Sequence, residues 1–340
     1  MISEKQIYTL AQSRTNNITF INGEGSEVTD KTLINRAKRK TITQTMMLKL
    51  IDIAKEDNNP ELEKAFWNTY HCQDKVITKD NKLYGNYCKN RFCTLCRSIR
   101  KAELINKYYP IMKNWNEPQL VTITIRAVPE KYLKSRIDAM LRGLTKIIDK
   151  NRKKEERGNG IKLIGIKSLE SNFNPKRKTY NPHLHIITAS KEMAEIIVND
   201  WLKMATTKFA QKQAQNITPI YNLETGLIEV IKYGSKIFTE PHLKKQNGDP
   251  TQMQIYAKAL YNIFKAMRGK RIFDRFGFEG EKQEVNQTSN TQIVNKFEEW
   301  KFDLSKTDWI NTTTGEGLSN YNLNPFLQAV LQNGINSEMS

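Results

Sequence analysis

The apolar positions change period along the chain, and the changes mark its elements. Over residues 28–55, Leu33, Ile34, Ala37, Met46, Met47, Leu50, Ile51 and Ile53 recur at roughly helical spacing. Arg36, Lys38, Arg39 and Lys40 stud the first half of that predicted helix, as a solvated face or as a grip on a polyanion. A second helix is expected over 98–113. At Leu120-Val-Thr-Ile-Thr-Ile125 apolar and hydroxyl residues alternate, which predicts a half-buried strand. Pro129 ends it, residues 130–151 read as an amphipathic helix, and the run 150–157 as a charged loop. Strand-like segments at 161–170 and 182–189 flank the turn-prone Asn174-Pro-Lys-Arg-Lys178, so an antiparallel pair is expected. Ser190 is placed to cap a helix through about 213. Two more helices are predicted at 226–238 and 251–268, the second closed by Gly269. This order implies an α+β domain, an antiparallel sheet with helices on one face.

Charge narrows the reading. The 340 residues carry a net charge of +18, and 38% are hydrophobic, enough for a sizeable core. Such a balance favours a polyanionic partner. The chain has no apolar run of membrane-spanning length, and its start, Met1-Ile-Ser-Glu-Lys-Gln6, lacks a signal-peptide core. A cytoplasmic protein that binds nucleic acid and no membrane is therefore expected. Residues 281–340 hold four Lys/Arg and eight Asp/Glu, so the positive charge lies before them. Four parts follow: a basic helical region at 1–70, a cysteine unit with its helix at 71–117, a larger domain at 118–280, and an acidic, polar tail at 281–340. The tail reads as loosely structured, with Trp300, Trp309 and 325–331 able to dock.

Three constellations carry chemistry. Cys72, Cys88, Cys93 and Cys96 are all the cysteines of the chain, and Cys93-Thr-Leu-Cys96 has knuckle spacing. In a cytoplasmic setting the cluster points to a structural Zn²⁺, with His71 an alternative to Cys72. Pro182-His183-Leu184-His185 puts two imidazoles on one side of a strand, half of a metal site. Glu170, on the neighbouring strand, is the candidate third ligand, and such a set suits Mn²⁺ or Mg²⁺. Without a third ligand the pair would be two partly exposed strand histidines. Finally, Glu229, Tyr233 and Lys236 share a helical face, where a phenol, a carboxylate and an ammonium can serve phosphoryl transfer. A surface helix with a Glu–Lys pair would look the same in isolation.

Taken in order, these pieces resemble the replication initiators of rolling-circle plasmids, within the HUH endonuclease superfamily. The resemblance runs from about Cys72 to Phe276 and rests on six segments. They are Cys88-Lys-Asn-Arg-Phe-Cys93-Thr-Leu-Cys96, the strand from Leu120, Leu169-Glu170, Pro182-His183-Leu184-His185, Glu229-Val-Ile-Lys-Tyr233-Gly-Ser-Lys236, and Met267-Arg-Gly-Lys-Arg271. No segment is specific alone; the ordered set is. Thr94 stands where a proline is common, and Asn181 where many relatives carry another histidine. The resemblance implies a nickase core in which the histidines hold a divalent ion. Tyr233 would cut one strand of a double-strand origin through a 5′-phosphotyrosine. Glu229 would activate the water that ends a replication cycle. Tyr256 and Tyr261 are rival nucleophiles without the flanking Glu and Lys. Origin DNA, as a single-stranded or hairpin segment with flanking duplex, is the implied partner, with host helicase and polymerase beside it. The oligomeric state stays open, a dimer included. A transposase or mobilisation relaxase of the same superfamily, or a zinc-stabilised DNA-binding protein without catalysis, are the other readings.

Overall fold

The computed structural model describes residues 26–27, 29–79, 82–85, 87–90, 93–174, 176–233, 257–278, 298–325 and 328. Helix α1 (Asp30–Glu56) starts at Thr29, whose hydroxyl accepts from the Thr32 amide. Helix α2 (Pro60–Tyr70) opens with proline after Asn59, whose side chain accepts from the Leu62 amide. It is not among the sequence expectations. Helix α3 (Thr94–Met112) follows the cysteine segment, and Cys93 is its cap. Two antiparallel sheets organise the rest.

The first sheet has the order β1-β3-β2-β9-β10. Its strands are β1 (Ser26–Glu27), β2 (Lys75–Lys79), β3 (Lys82–Gly85), β9 (Glu298–Asp303) and β10 (Asp308–Asn311). The tail, expected to be loose, thus supplies two strands, with Val76 opposite Trp300. Val76, Leu83, Trp300, Phe302 and Trp309 pack against Leu33 and Ala37 of α1, and the Trp309 indole donates to the Gln73 carbonyl at 2.7 Å. Both tryptophans are therefore docked, as the sequence allowed. Of 325–331, only Pro325 and Gln328 are described.

The second sheet has the order β7-β4-β6-β5-β8. It is built from β4 (Gln119–Thr124), β5 (Gly165–Asn174), β6 (Thr179–Thr188), β7 (Asn216–Pro219) and β8 (Phe273–Phe276). The expected hairpin is β5–β6, in register from Gly165 opposite Thr188 to Asn174 opposite Thr179. Helices α4 (Glu130–Glu156) and α5 (Lys191–Phe209) cover one face, on Val121, Ile123, Leu169, Leu184 and Ile186. Ser190 caps α5 as expected, accepting from Met193.

The α+β class and the antiparallel sheet are as expected, but the helices lie on both faces. On the other face Ile166 and Ile187 meet Tyr108 and Met112 of α3 and Leu227, Val230 and Ile231 of α6 (Leu223–Tyr233). Strands apolar on both sides at one end must be covered on both sides there. The charged run at 150–156 is also helix and not loop: its lysines and glutamates are good helix formers, and Arg152 pairs with Glu156 at 2.7 Å.

Helix α7 (Ala257–Met267) joins the two halves. Leu260, Tyr261 and Phe264 pack with α1 and α2, while Ala259, Ala266 and Met267 pack with the second sheet's core. Lys265 and Tyr261 both donate to the Asp57 carboxylate at 2.6 Å, and Lys270 bonds to Asp138 of α4.

One cation of α1 does not face solvent. Lys40 is fully buried, and its three donors go to the carbonyls of Tyr70 (2.7 Å) and Cys72 (2.8 Å) and to Asp74 (2.5 Å). It is an internal strut and no grip on a polyanion. Burial pushes the Asp74 carboxyl up, but the His71 hydrogen bond and the Lys40 charge outweigh it and leave it below the usual range. Lys40→Met leaves two carbonyls without their ammonium and breaks the pair with Asp74, whose side chain is 30% exposed, so it should cost roughly 1–3 kcal/mol. Urea denaturation should show the midpoint falling at constant slope. An unchanged midpoint would mean that water replaces the ammonium.

Candidate metal centre and tyrosine helix

The strand pattern gathers a candidate metal site by register alone. In β6, Leu184 and Ile186 turn toward α4 and α5, so His183 and His185 turn to the other face. Glu170 of β5 lies opposite His183, and Ser168 opposite His185; from β4, Thr124 and Thr122 face the same two histidines. The three residues are 4%, 6% and 8% exposed for Glu170, His183 and His185, which removes the reading of two partly exposed histidines. Proline is rare inside a central strand, yet Pro182 costs no ladder bond here. Tyr180 exchanges both bonds with Val128 of the adjoining chain, so the nitrogen two residues on points the same way. There Arg126 has already turned to donate to the Phe209 carbonyl.

One carboxylate oxygen sits between the two rings. Glu170 Oε2 is 3.4 Å from His183 Nε2 and 3.5 Å from His185 Nε2. Two donors about 2.0–2.2 Å from one ion lie about 3–3.6 Å apart, so these distances suit a shared cation. The ligand atoms of all three residues fall within 4.8 Å of one another. The other ring nitrogens are engaged. His183 Nδ1 donates to the Asn181 carbonyl at 2.9 Å, so its Nε2 presents a lone pair to the site. His185 Nδ1 meets the Thr122 hydroxyl at 3.1 Å. Two imidazoles and one carboxylate can hold a divalent ion and leave coordination positions open. Such an ion polarises an oxygen ligand placed at the open positions.

A supporting network passed unnoticed in the sequence. The Gln215 amide oxygen accepts from the Thr124 backbone N–H at 2.8 Å, and its nitrogen donates to the Thr124 carbonyl. The Thr124 hydroxyl donates to the Asn181 side chain at 2.9 Å, and the Asn181 carbonyl holds His183. Asn181 thus orients a ligand where many relatives of the resembled family carry a histidine. The alternating hydroxyls of β4 were the available signal. Gln215→Leu acts on His183 only through Thr124 and Asn181, so it should weaken divalent-ion affinity by about threefold, less than the loss of a direct ligand partner. Mn²⁺ titration followed by electron paramagnetic resonance reads this directly, and an unchanged affinity would restrict Gln215 to closing the sheet edge.

The cysteine cluster is a second, separate donor set. Cys72 ends the α2 turn, Cys88 follows β3, Cys93 caps α3, and Cys96 lies in its first turn. Sulfur separations are 3.5 Å for Cys72–Cys96 and 3.6 Å for Cys88–Cys96. A disulfide needs about 2.05 Å. Four thiolates about 2.3 Å from one tetrahedral ion stand about 3.8 Å apart, which is close to the observed spacing. Amides of Cys88, Asn90 and Cys96 donate to the sulfurs, as suits thiolate charge. His71 is excluded from the set: its Nδ1 bonds Asp74 at 2.6 Å and its ring stacks on Trp67.

Helix α6 carries Glu229 and Tyr233 in its last turns and packs on the face of the second sheet that holds His183, His185 and Glu170. Lys236 and Tyr256 lie outside the described residues. Tyr261 is fully buried and donates to Asp57, and burial with that carboxylate pushes its phenol far up. An inaccessible phenol with a raised pKa is a poor nucleophile.

A curated protein named "Protein rep" from Staphylococcus aureus is 30% identical over 179 residues, which cover 48% of this chain and 75% of that protein. The chain belongs to the Rep family of plasmid replication initiators. Two further Rep proteins are similar. The one from Streptococcus pneumoniae serotype 2 is 25% identical over 178 residues, and that from Bacillus amyloliquefaciens 26% over 209 residues. The chain spans about half the length of these two Rep relatives, 54% and 57%. No protein-family profile matches the chain. No solved structure matches it. Among the described residues no helix is long and apolar enough to cross a membrane.

Proposed function

We propose that this Rep protein is a metal-dependent nickase that starts rolling-circle replication by cutting one strand of origin DNA in the cytoplasm. One observation carries the reading. The Glu170–His183–His185 cluster and the helix bearing Glu229 and Tyr233 occupy the same face of one sheet. A structural histidine pair has no need of a carboxylate between its Nε2 atoms.

Glu170, His183 and His185 would hold Mn²⁺ or Mg²⁺, which polarises a scissile phosphate when bound. Tyr233 attacks that phosphorus. The Tyr233 Oη–P bond forms, the P–O3′ bond breaks, and the 3′ oxygen gains a proton to become a hydroxyl, balancing the proton lost by the phenol. The result is a 5′-phosphotyrosine and a primer end for a polymerase. Lys236 offsets charge on the phosphate. At the end of a cycle Glu229 takes a proton from water, which cuts the regenerated site. Cys72, Cys88, Cys93 and Cys96 would hold Zn²⁺ and shape the N-terminal end of α3.

End-labelled single-stranded origin DNA is the substrate for the test. Wild type should cut it with Mn²⁺ and not without a divalent ion. Glu170→Gln and His183→Ala should each lower cleavage at limiting Mn²⁺, with partial recovery at high Mn²⁺. Cleavage that ignores both the metal and these substitutions would leave a DNA-binding protein as the function.

A further inference from the structure

We infer that Ser168 is a positioning residue of the metal centre, whose hydroxyl holds a water molecule on the divalent ion from the floor of the site. The inference deepens the reading that Glu170, His183 and His185 hold such an ion, and rests on it.

Ser168 lies two residues before Glu170 on β5, so both side chains leave the same face of the strand. Across the ladder it stands opposite His185 on one side and Phe273 of β8 on the other. The residue is fully buried, and its Oγ has no hydrogen-bond partner among the described residues. Two other hydroxyls beside the ligands are engaged: Thr122 Oγ1 meets His185 Nδ1, and Thr124 Oγ1 donates to Asn181. Strand β5 is paired on both edges here, so its backbone groups are committed to the ladder. A buried hydroxyl without a partner is destabilising, and alanine would fill the same place without that cost. The Ser168 hydroxyl therefore serves something other than the protein's own bonds.

Side-chain length narrows what it can serve. Opposite residues of an antiparallel pair have Cβ atoms about 4.5–5.5 Å apart. A serine oxygen stands one bond beyond its Cβ, whereas an imidazole Nε2 and a glutamate oxygen each stand three bonds beyond. An ion shared by Glu170 Oε2 and the two Nε2 atoms thus lies above the reach of Ser168. A water on the ion closes the gap. A metal–oxygen bond of about 2.1 Å and an O–H···O bond of about 2.8 Å together span about 5 Å. The water gives a lone pair to the ion, so its protons point away from the ion, and Ser168 Oγ accepts one of them. Hard divalent ions such as Mg²⁺ keep several waters when bound. A ligand water pinned on the sheet side leaves the outward positions to a phosphate oxygen.

The test reads the ion and needs neither DNA nor cleavage. Full-length wild type and Ser168→Ala are titrated with Mn²⁺ and followed by electron paramagnetic resonance. The loaded proteins are then transferred to water enriched in oxygen-17, where each bound water broadens the Mn²⁺ lines. The variant should hold one water fewer and bind Mn²⁺ about three- to tenfold more weakly, the worth of one hydrogen bond. Without Mn²⁺ it should melt no earlier than wild type, because its hydroxyl has no protein partner to lose. Ser168→Cys keeps the side chain but puts a weak acceptor in place of the oxygen, so it should lose the same water and separate the hydrogen bond from packing. An unchanged water count in both variants overturns the assignment. So does a metal-free Ser168→Ala that melts clearly earlier, since the hydroxyl would then be bonded within the protein. Tyr233→Phe should bind Mn²⁺ with the full water count, so a failure of the nicking reading leaves this measurement standing. A wild type that binds no Mn²⁺ removes the metal centre itself, and the role of Ser168 with it.

Discussion

Tyr233→Phe should abolish cleavage of origin DNA and the covalent protein–DNA adduct, a loss of at least about 10³-fold, while metal binding and stability stay as in wild type. The size follows from the role assigned to the residue. Removal of a nucleophile leaves only positioning and electrostatics, and a phenyl ring cannot form the ester. The alternative nucleophile Tyr261 is buried against Asp57, so it cannot take over. The adduct is read by denaturing gel with a 3′-labelled substrate strand, because the phosphotyrosine carries the downstream fragment. Glu229→Gln sets the contrast: it should still form the adduct but fail to cut the regenerated site with water. If Tyr233→Phe cuts normally, the nucleophile is elsewhere, and Tyr256 is the next residue to substitute. If both variants lose cleavage equally, Glu229 is part of the first step.

The gathering of Glu170, His183 and His185 was legible because strand alternation is a short-range rule. Once His183-Leu184-His185 is placed on a strand, the apolar Leu184 settles which way both rings point. A hairpin across Asn174–Lys178 then brings Glu170 alongside by counting residues. Cysteine spacing was legible for the same reason, as one thiolate pair lies within a single turn. The first sheet was not legible. Lys-Val-Ile-Thr-Lys and Lys-Leu-Tyr-Gly are short and polar-ended, and the strand that pairs with the first on its other side arrives more than 200 residues later. Pairing at that distance leaves no local trace. Nor could the sequence tell Lys40 from Arg36 and Arg39. All three are cations on one helix, and only the carbonyls of Tyr70 and Cys72, brought by α2, draw Lys40 inside. The extra helical cover came from Ile166 and Ile187, which share a face with Ser168, Glu170 and His185. An apolar end and a polar end on one strand face read as simple alternation until α3 and α6 are seen packed on the first.

Removal of zinc should silence the protein without touching Tyr233 or the Glu170–His183–His185 cluster. Hydrogen bonds from the neighbouring thiols, with burial, push the Cys72 thiol well up while the same contacts pull the Cys88 thiol down, so without a cation the cluster does not carry four thiolates. A structural zinc supplies about 10–16 kcal/mol of binding free energy, as large as the stability of a typical domain. A zinc held by these four sulfurs would place that energy at a junction. The cluster clamps the end of α2, the strand β3 and the cap of α3. Helix α3 is bonded to α1 through Thr43 and Thr94, and its far end packs against α6 with Leu227, Val230 and Ile231. Release of the knuckle therefore loosens the start of α3 and, through it, the seat of the helix that ends at Tyr233. Mercurial titration should free one equivalent of zinc, broaden the thermal transition and end nicking in the presence of saturating Mn²⁺. Thiol reduction with Zn²⁺ should restore nicking, and Mn²⁺ alone should not, because hard cations bind thiolates poorly. A zinc-free protein that melts and nicks like the untreated one would show that the four sulfurs pack as small hydrophobic groups, and that α6 is seated by its apolar packing alone.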